Sequence, residues 1–440
     1  MEIIITHQNN HQHELKWHPQ KATFILNHST IYLSRTDKTK AISNDYTCLM
    51  SYLIRMADYS KNIYMEHINS IPKNFEICDV TLRDGEQTPG VAFTREEKIA
   101  IAQKLDSIGI NVIEAGFPVV SPAEEATVKE IAHLGLNARI CCLARSVARD
   151  IDVALRCDVD FVSVFIATSD IHLKYKYHKT FAEAESCALD VLDYAKDHGL
   201  TVRFAAEDAT RTDINVLKSI FKKAEDHGAD YLSIADTVGI LNPSTTFWLV
   251  SELKKSIHTK LCIHCHNDLG MAVANTLSAA EAGAYQLHTT VNGIGERSGN
   301  SALEEVLMGL RVQYGIEKYD VSKLMEISKM VENYSGIKIP RTKPVVGKNA
   351  FSHESGIHVA AVLENPMTYE LFSPEMVGGT RELIIGKHTG TKALKGVVQK
   401  MGHNLTHDQM CILLDRVKKC SEAKRMVTCD ILESFIKELY

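Results

Sequence analysis

Eight short runs of β-branched or apolar residues recur between residues 76 and 291, and amphipathic stretches typical of helices separate them. The runs are residues 76–80, 111–114, 138–143, 161–166, 201–205, 231–235, 260–263 and 285–291. Alternation of strands and helices predicts a parallel sheet. Eight repeats are the number that closes an α/β barrel, so we predict a (β/α)8 TIM barrel over residues 74–320. A doubly wound open sheet is the alternative, but it would be expected to carry a glycine-rich first turn, which the sequence lacks.

The regions on either side of residues 74–320 lack this alternation of strand and helix patterns. Residues 1–73 show no sustained period, and Met65 lies just before the patterned region. We therefore expect residues 1–73 to be an N-terminal extension that is poorly ordered or results from a start-site artefact. After residue 320 the strand pattern stops, and residues 321–440 are predicted to form a small, mainly helical C-terminal region.

The composition excludes several classes of protein. The 440 residues include 49 Lys and Arg against 55 Asp and Glu, which gives a net charge of −6. This balance provides no electrostatic basis for binding nucleic acid or an anionic membrane. No apolar run reaches about 18 residues, so we expect no membrane span. The 11 cysteines show no framework spacing, which favours reduced thiols in a cytoplasmic protein.

Polar residues follow nearly every strand run. In an α/β barrel the C-terminal ends of the strands form the active face. The alternative is that these residues are polar only because loops are exposed to solvent. Solvent exposure would explain scattered Ser, Lys and Glu, but it explains poorly an acid, an amide, a histidine pair and an arginine at the same end of the barrel. The pattern therefore predicts an active site at this end.

His264 and His266 end the seventh run. Side chains two apart in a strand share a face, so both imidazoles point the same way, while Cys265 points away as a core thiol. Asp84 follows the first run and lies close by in a closed barrel. Nitrogen and oxygen donors suit Mg²⁺, Mn²⁺ or Zn²⁺. The alternative is a pair of helix-capping or core histidines.

Four motifs carry a family resemblance: residues 79–90 (DVTLRDGEQTPG), 264–270 (HCHNDLG), 292–300 (NGIGERSGN) and 351–358 (FSHESGIH). Together they resemble the 2-isopropylmalate synthase and homocitrate synthase family over about residues 75 to 395. The resemblance implies a metal-dependent barrel enzyme that condenses acetyl-CoA with a 2-oxo acid. It implies Asp84, His264, His266 and, more weakly held, Asn300 as metal ligands.

The resemblance also implies substrate and catalytic residues. Arg83 matches the residue that steadies the oxo acid and the developing charge, and Thr237 matches a residue that holds the substrate carboxylate. Glu207, His358 and Tyr369 match a catalytic acid–base group. In the family the last two residues reach the site from the neighbouring subunit, so the resemblance implies a homodimer with shared active sites. From the residues alone, His358 and Tyr369 are equally well explained as ordinary helix-surface residues.

The acceptor is less well defined by sequence. Residues 165–176, 206–213 and 358–366 look most similar to archaeal homocitrate synthases, whose product enters elongation of 2-oxoglutarate toward the 2-oxo diacids of coenzyme B. About 50 residues follow 386–390, whereas 2-isopropylmalate synthases usually continue into a leucine-binding domain. Where fungal homocitrate synthases carry an arginine for the distal carboxylate, this chain has Leu173. His172 and Lys174 flank it, and either could bind that carboxylate.

His172 also fits the isopropylmalate pattern, so 2-isopropylmalate synthase and citramalate synthase stay open as alternatives. A third alternative is the lyase that cleaves hydroxymethylglutaryl-CoA, which shares the aspartate and the histidine pair. That lyase would be expected to carry a reactive cysteine near Gly295, and this chain has none there.

Overall fold

The computed structural model describes four strands within residues 1–68 and all of residues 69–440 except 426 and 440. The chain divides into two units, Met1–Ile68 and Asn69–Tyr440. In the first unit the strands Ile4–His7, Lys16–His18, Lys21–Leu26 and Ser29–Ser34 form an antiparallel sheet. The prediction for residues 1–73 falls largely outside the described residues and stays a prediction.

The second unit is built around a closed barrel of eight parallel strands in sequential order. The strands are β1 Glu76–Asp79, β2 Val112–Glu114, β3 Arg139–Arg145, β4 Phe161–Ala167, β5 Thr201–Glu207, β6 Tyr231–Asp236, β7 Lys260–Cys265 and β8 Gln286–Thr289. β8 pairs with β1 and closes the barrel. The predicted TIM barrel is confirmed, and the open sheet is excluded.

A helix follows each strand. These helices are α1 Arg95–Ile108, α2 Pro122–Ala132, α3 Ala148–Cys157, α4 Phe181–Asp197, α5 Ile214–Asp226, α6 Pro243–Leu253, α7 Ala272–Glu281 and α8 Leu303–Tyr314. α1 begins with a capping box, in which the Thr94 side chain and the Glu97 side chain each accept a hydrogen bond from the other residue's backbone N–H. It ends at Gly109, whose φ of 92° favours glycine.

The barrel strands are buried on both faces, and alternate residues point into the lumen. In β4 these are Phe161, Ser163 and Phe165, since Phe161 stacks on Tyr231 while Ser163 and Phe165 line a cavity. Aromatic rings therefore fill the N-terminal end of the lumen, and small and polar residues lie nearer the C-terminal ends of the strands. We call the C-terminal ends of the strands, with the loops that follow them, the rim.

The C-terminal region is mainly helical, as predicted. Its helices are α9 Leu324–Ser335, α10 Gly356–Glu364, α11 Thr391–Lys400, α12 His407–Glu422 and α13 Cys429–Lys437. A two-residue parallel ladder joins Ser352–His353 to Glu382–Leu383. α9 packs on the barrel core, whereas α11, α12 and α13 share a separate apolar core. Among the described residues, no helix combines the length and the apolar character needed to cross a lipid bilayer.

Candidate active site at the barrel rim

A cavity of about 230 Å³ opens at the rim and extends into the lumen. We call it the barrel cavity. Its walls come from the loop after β1 and from β3 to β8 with the loops that follow them. The lining residues are Arg83, Asp84, Gln87, Leu143, Ser163, Phe165, Lys176, Arg203, Ala205, Glu207, Ser233, Ala235, Thr237, His264, His266, His288 and Glu296. The predicted active site therefore coincides with a real concavity of the fold.

Asp84, His264 and His266 converge on one side of this cavity. Their potential ligand atoms all lie within 4.8 Å of one another. Nε2 of His264 is 3.3 Å from Nε2 of His266 and 3.7 Å from Oδ2 of Asp84. All three residues are buried. Two imidazole nitrogens and one carboxylate oxygen in this arrangement fit a divalent metal ion.

Asn300 lies against this group. Its amide Nδ2 donates hydrogen bonds to Oδ2 of Asp84 and to the Ile294 carbonyl, and its buried Oδ1 has no partner among the described residues. The loop before it passes so close that a Cβ on Gly295 would lie 2.2 Å from Nδ2 of Asn300. Glycine at 295 therefore allows Asn300 to approach Asp84, and the free Oδ1 is a suitable further ligand oxygen.

The charge states of this group suit metal binding. Burial lowers the pKa of His264 to about 3, so its imidazole is neutral near pH 7 and keeps a lone pair. For Asp84, burial raises the pKa, but the positive charge of Arg83 and the contributions of His264, His266 and Asn300 outweigh burial and bring it to about 2. Asp84 is therefore an anion over the whole physiological pH range.

A chain of charged groups connects the rim with the lumen. Arg83 donates from Nη1 to Oδ1 of Asp84 at 2.7 Å and from Nε to Oε1 of Glu114. Oε2 of Glu114 accepts a hydrogen bond from Nη2 of Arg203. The side chains of Glu114 and Arg203 are 0% and 1% exposed. Glu114 therefore holds two arginines, one at the rim and one in the lumen.

Thr237 and Glu207 face the cavity from neighbouring strand ends. The Thr237 hydroxyl accepts a hydrogen bond from the Asp208 backbone N–H at 2.9 Å, which leaves its own proton free to donate. Oε1 of Glu207 accepts from Nζ of Lys176 at 2.5 Å, and Oε2 lies 3.5 Å from the Tyr177 hydroxyl. Glu207 is thus positioned as a carboxylate with a cation beside it.

His172 and Lys174, the two sequence candidates for the distal carboxylate, do not line the barrel cavity. The His172 ring lies beside Glu207 and Asp208, with Nδ1 3.8 Å from Oε1 of Glu207. Lys174 is exposed, and its Nζ lies 5.0 Å from the ring of Tyr175. Lys176, and not Lys174, therefore lines the barrel cavity.

His358 and Tyr369 lie together in the C-terminal region. Their rings stack with centroids 4.0 Å apart, both residues are exposed, and neither lines the barrel cavity of its own chain. The structure thus brings these two predicted residues to each other but not to Glu207.

Sequence reasoning missed the residues of the deeper lumen. Arg203, Ser163 and Ser233 line the cavity, but none of them follows a strand end. The available signal was a charged residue in the middle of a predicted buried strand, since Arg203 stands between Val202 and Phe204. A buried charge needs partners and is therefore a marker for an internal polar cluster.

Comparison with known families agrees with this architecture. Residues 74–331 match the family model described as HMGL-like, and residues 345–425 match the one described as homocitrate synthase post-HMGL domain-like. The first match covers more than half of the chain. The chain belongs to the HMGL-like family.

Two individual relatives indicate the enzyme class of this chain within the family. The chain is 61% identical over 383 residues to homocitrate synthase AksA of Methanosarcina mazei, covering 87% of this chain and 95% of that one. It is 49% identical to 2-isopropylmalate synthase of Methanocaldococcus jannaschii, covering 85% of this chain and 73% of that one. These matches make the chain a condensing enzyme of the acyltransferase type.

A solved structure supports the fold alone. The HMG-CoA lyase of Bacillus subtilis aligns with a TM-score of 0.57 at 23% identity, covering 62% of this chain and 97% of that one. The aligned share is close to the extent of the barrel, so the likeness concerns the common scaffold.

Glu114→Gln should lower the free energy of unfolding by about 3–5 kcal/mol, because it leaves the buried Arg203 without a counter-charge and removes one of the two carboxylate partners of Arg83. Equilibrium urea denaturation measures this change. Glu125→Gln is the matched control, since Glu125 pairs with Arg156 near the surface and should change stability by no more than about 1 kcal/mol. Equal effects of the two substitutions would show that Glu114 does not hold the charged chain together.

Proposed function

We propose that this protein is a homocitrate synthase that condenses acetyl-CoA with 2-oxoglutarate, and with longer 2-oxo diacids, to give homocitrate or its homologues and free CoA. The product would enter 2-oxo acid elongation toward coenzyme B. The main support is the combination of a buried Asp84, His264 and His266 group at the rim with 61% identity to a homocitrate synthase over most of the chain. Nine cysteines of the described part of the chain have free thiols, which fits a cytoplasmic enzyme.

The residues at the rim bind and polarise the oxo acid. A divalent metal held by Asp84, His264 and His266, with Asn300 as a further ligand, would act as a Lewis acid on the ketone. Arg83 is fixed by Glu114 and Asp84, so its guanidinium stabilises the negative charge that develops on the ketone oxygen. The free proton of the Thr237 hydroxyl suits the carboxylate next to the ketone.

The reaction requires removal of a weakly acidic methyl proton from acetyl-CoA, so a positioned base is needed. The base takes this proton, and the methyl carbon then forms a bond to the ketone carbon of the oxo acid. The former ketone oxygen takes up a proton and becomes a hydroxyl. Water then cleaves the thioester, which yields a carboxylate and releases CoA as the thiol.

We assign the proton transfers to a group shared between two subunits. Glu207 of one subunit lines the barrel cavity, where Lys176 and Tyr177 fix its carboxylate. His358 and Tyr369 of the partner subunit complete the group. Their exposed position is what such a contribution requires, and an imidazole can both accept and return a proton.

Asp84→Ala, His264→Ala and His266→Ala should each reduce CoA release by roughly a thousand-fold or more, because Lewis-acid stabilisation is worth several kcal/mol. Each variant should also lose bound metal in elemental analysis while its circular dichroism stays unchanged. A chelator should inactivate the wild type, and Mg²⁺ or Mn²⁺ should restore activity. His227→Ala, at an exposed histidine paired with Asp193, is the control. A near-normal rate for any of the three variants with metal present would disprove the site.

Mixing inactive Glu207→Ala with inactive His358→Ala should restore about a quarter of wild-type activity, because half of the dimers are mixed and each carries one intact site. Mixing Glu207→Ala with Asp84→Ala is the control. Both changes then affect the barrel side, so no intact site forms and no activity should return. Absence of recovery in the first mixture, after subunit exchange has been verified, would rule out the shared site.

A panel of oxo acids in the CoA-release assay tests the acceptor. We expect 2-oxoglutarate to be preferred and 2-oxoisovalerate and pyruvate to be poor, since the cavity carries arginine and serine groups suited to a second carboxylate. Faster turnover of 2-oxoisovalerate would assign the chain to 2-isopropylmalate synthase, and faster turnover of pyruvate would assign it to citramalate synthase.

A further inference from the structure

The loop that follows β8, residues 290–302, brings Asn300 to Asp84, and we call it the Asn300 loop. Its two arms are in direct contact. The Asn300 backbone N–H donates a hydrogen bond to the Gly293 carbonyl at 3.0 Å. A Cβ on Gly299 would lie 1.9 Å from that same carbonyl oxygen, so only glycine fits there. The position of Gly293 therefore fixes the backbone of Asn300.

Asn292, directly before Gly293, has a left-handed backbone conformation. Its φ is 61° and its ψ is 3°, a region that residues other than glycine adopt uncommonly. Its side chain is bonded through both polar atoms to Ser328 of α9. The Asn292 amide donates to the Ser328 carbonyl at 2.9 Å, and its oxygen accepts from the Ser328 hydroxyl at 2.5 Å. Helix α9 therefore holds this conformation from one side.

Glu304 of α8 holds the backbone of Asn292 from the other side. Its Oε2 accepts a hydrogen bond from the Asn292 N–H at 3.0 Å, and the residue is 1% exposed. Burial raises the pKa of Glu304, although the positive charge of Lys343 opposes this change. Nζ of Lys343 lies 3.0 Å from Oε1 of Glu304. Lys343 therefore favours the charged carboxylate, which is the stronger hydrogen-bond acceptor.

Lys343 belongs to the C-terminal region, in the segment between α9 and α10. Its side chain is 12% exposed, and its Nζ also donates to Oε1 of Glu305 at 2.6 Å. The turn around it is tight, since a Cβ on Gly347 would lie 2.4 Å from the Lys343 carbonyl oxygen. Val345 has a φ of 67°, which is strained for a β-branched residue. Such strain persists only where the surrounding structure imposes it, and it often marks a functional segment.

We propose that Lys343, Glu304 and Ser328 are positioning residues for the metal site, because they fix Asn292 and, through the Asn300 loop, the ligand Asn300. The proposal rests on the proposed function, in which Asn300 is a metal ligand. Among the described residues, none of the three bonds directly to a proposed ligand, so each acts only through the loop. This contribution of the C-terminal region lies within one chain, unlike the shared proton-transfer group.

Calorimetric binding of Mn²⁺ without substrates tests the proposal independently of turnover. Lys343→Met should weaken Mn²⁺ binding roughly ten-fold, since losing the groups that orient metal ligands typically costs ten- to a hundred-fold in affinity. Lys343→Arg keeps the charge and should stay within about three-fold of the wild type. Lys218→Met is the matched control, because Lys218 pairs with Glu252 at 2.6 Å between α5 and α6. It should leave the Mn²⁺ affinity unchanged.

A double-mutant cycle shows whether Lys343 acts through Asn300. Asn300→Ala alone should weaken Mn²⁺ binding. Adding Lys343→Met should then weaken it by no more than about two-fold further, because the residue that Lys343 positions is already missing.

Glu304→Gln provides a rescue. A glutamine oxygen can still accept the hydrogen bond from the Asn292 N–H, and it needs no counter-charge. Lys343→Met combined with Glu304→Gln should therefore bind Mn²⁺ more tightly than Lys343→Met alone, because no unpaired charge is left buried.

Ser328→Ala repeats the test from α9, also if Lys343→Met does not fold. It removes one hydrogen bond to Asn292 and should weaken Mn²⁺ binding roughly three- to ten-fold. The proposal would be overturned by unchanged Mn²⁺ affinity in Lys343→Met or Ser328→Ala, or by fully additive effects of Lys343→Met and Asn300→Ala. In these cases the metal site itself stands if Asp84→Ala still abolishes binding. If Asp84→Ala binds Mn²⁺ as tightly as the wild type, the proposed metal site fails, and the positioning role fails with it.

Discussion

The site depends on the ion pairs that the buried carboxylate of Glu114 forms with two arginines. This carboxylate accepts hydrogen bonds from Arg83 at the rim and from Arg203 in the lumen, and Arg83 in turn holds Asp84. A charge of this kind is costly to bury alone and stable only when it is fully paired. Two arginines and two carboxylates balance each other, so these four charges along the barrel axis sum to zero.

Much of the fold was predictable because its signal is periodic. Strand runs alternate with helices eight times, and the end of each run marks the rim, so the positions of Asp84, His264 and His266 followed from the sequence. The lumen was not predictable in the same way. Strands buried on both faces read as continuous apolar runs, so the sequence does not separate residues that face the lumen from those that face the helices. Ser163 and Ser233 were missed for this reason.

The choice between Lys174 and Lys176 shows a second limit. The chain after β4 forms a short helix, Asp170–His172, followed by a π-helical turn, Leu173–Tyr177. A π-turn places more residues in each turn than an α-helix and so changes which side chain faces the cavity. Lys176 faces Glu207, while Lys174 faces solvent beside Tyr175. The local backbone geometry determines which lysine faces the cavity, and no residue pattern in the segment predicts it.

The barrel separates two tasks along its axis. In the reaction we propose, groups at the rim, such as Arg83 and the histidine pair, act on the ketone, whichever side chain the oxo acid carries. In the same proposal, groups deeper in the lumen face only the far end of that side chain. Substitutions among the deeper residues can therefore change the acceptor without disturbing the reacting groups, provided that the charge of Arg203 stays paired with Glu114. This arrangement offers a physical reason why chains of one family, with similar barrels, can act on different oxo acids.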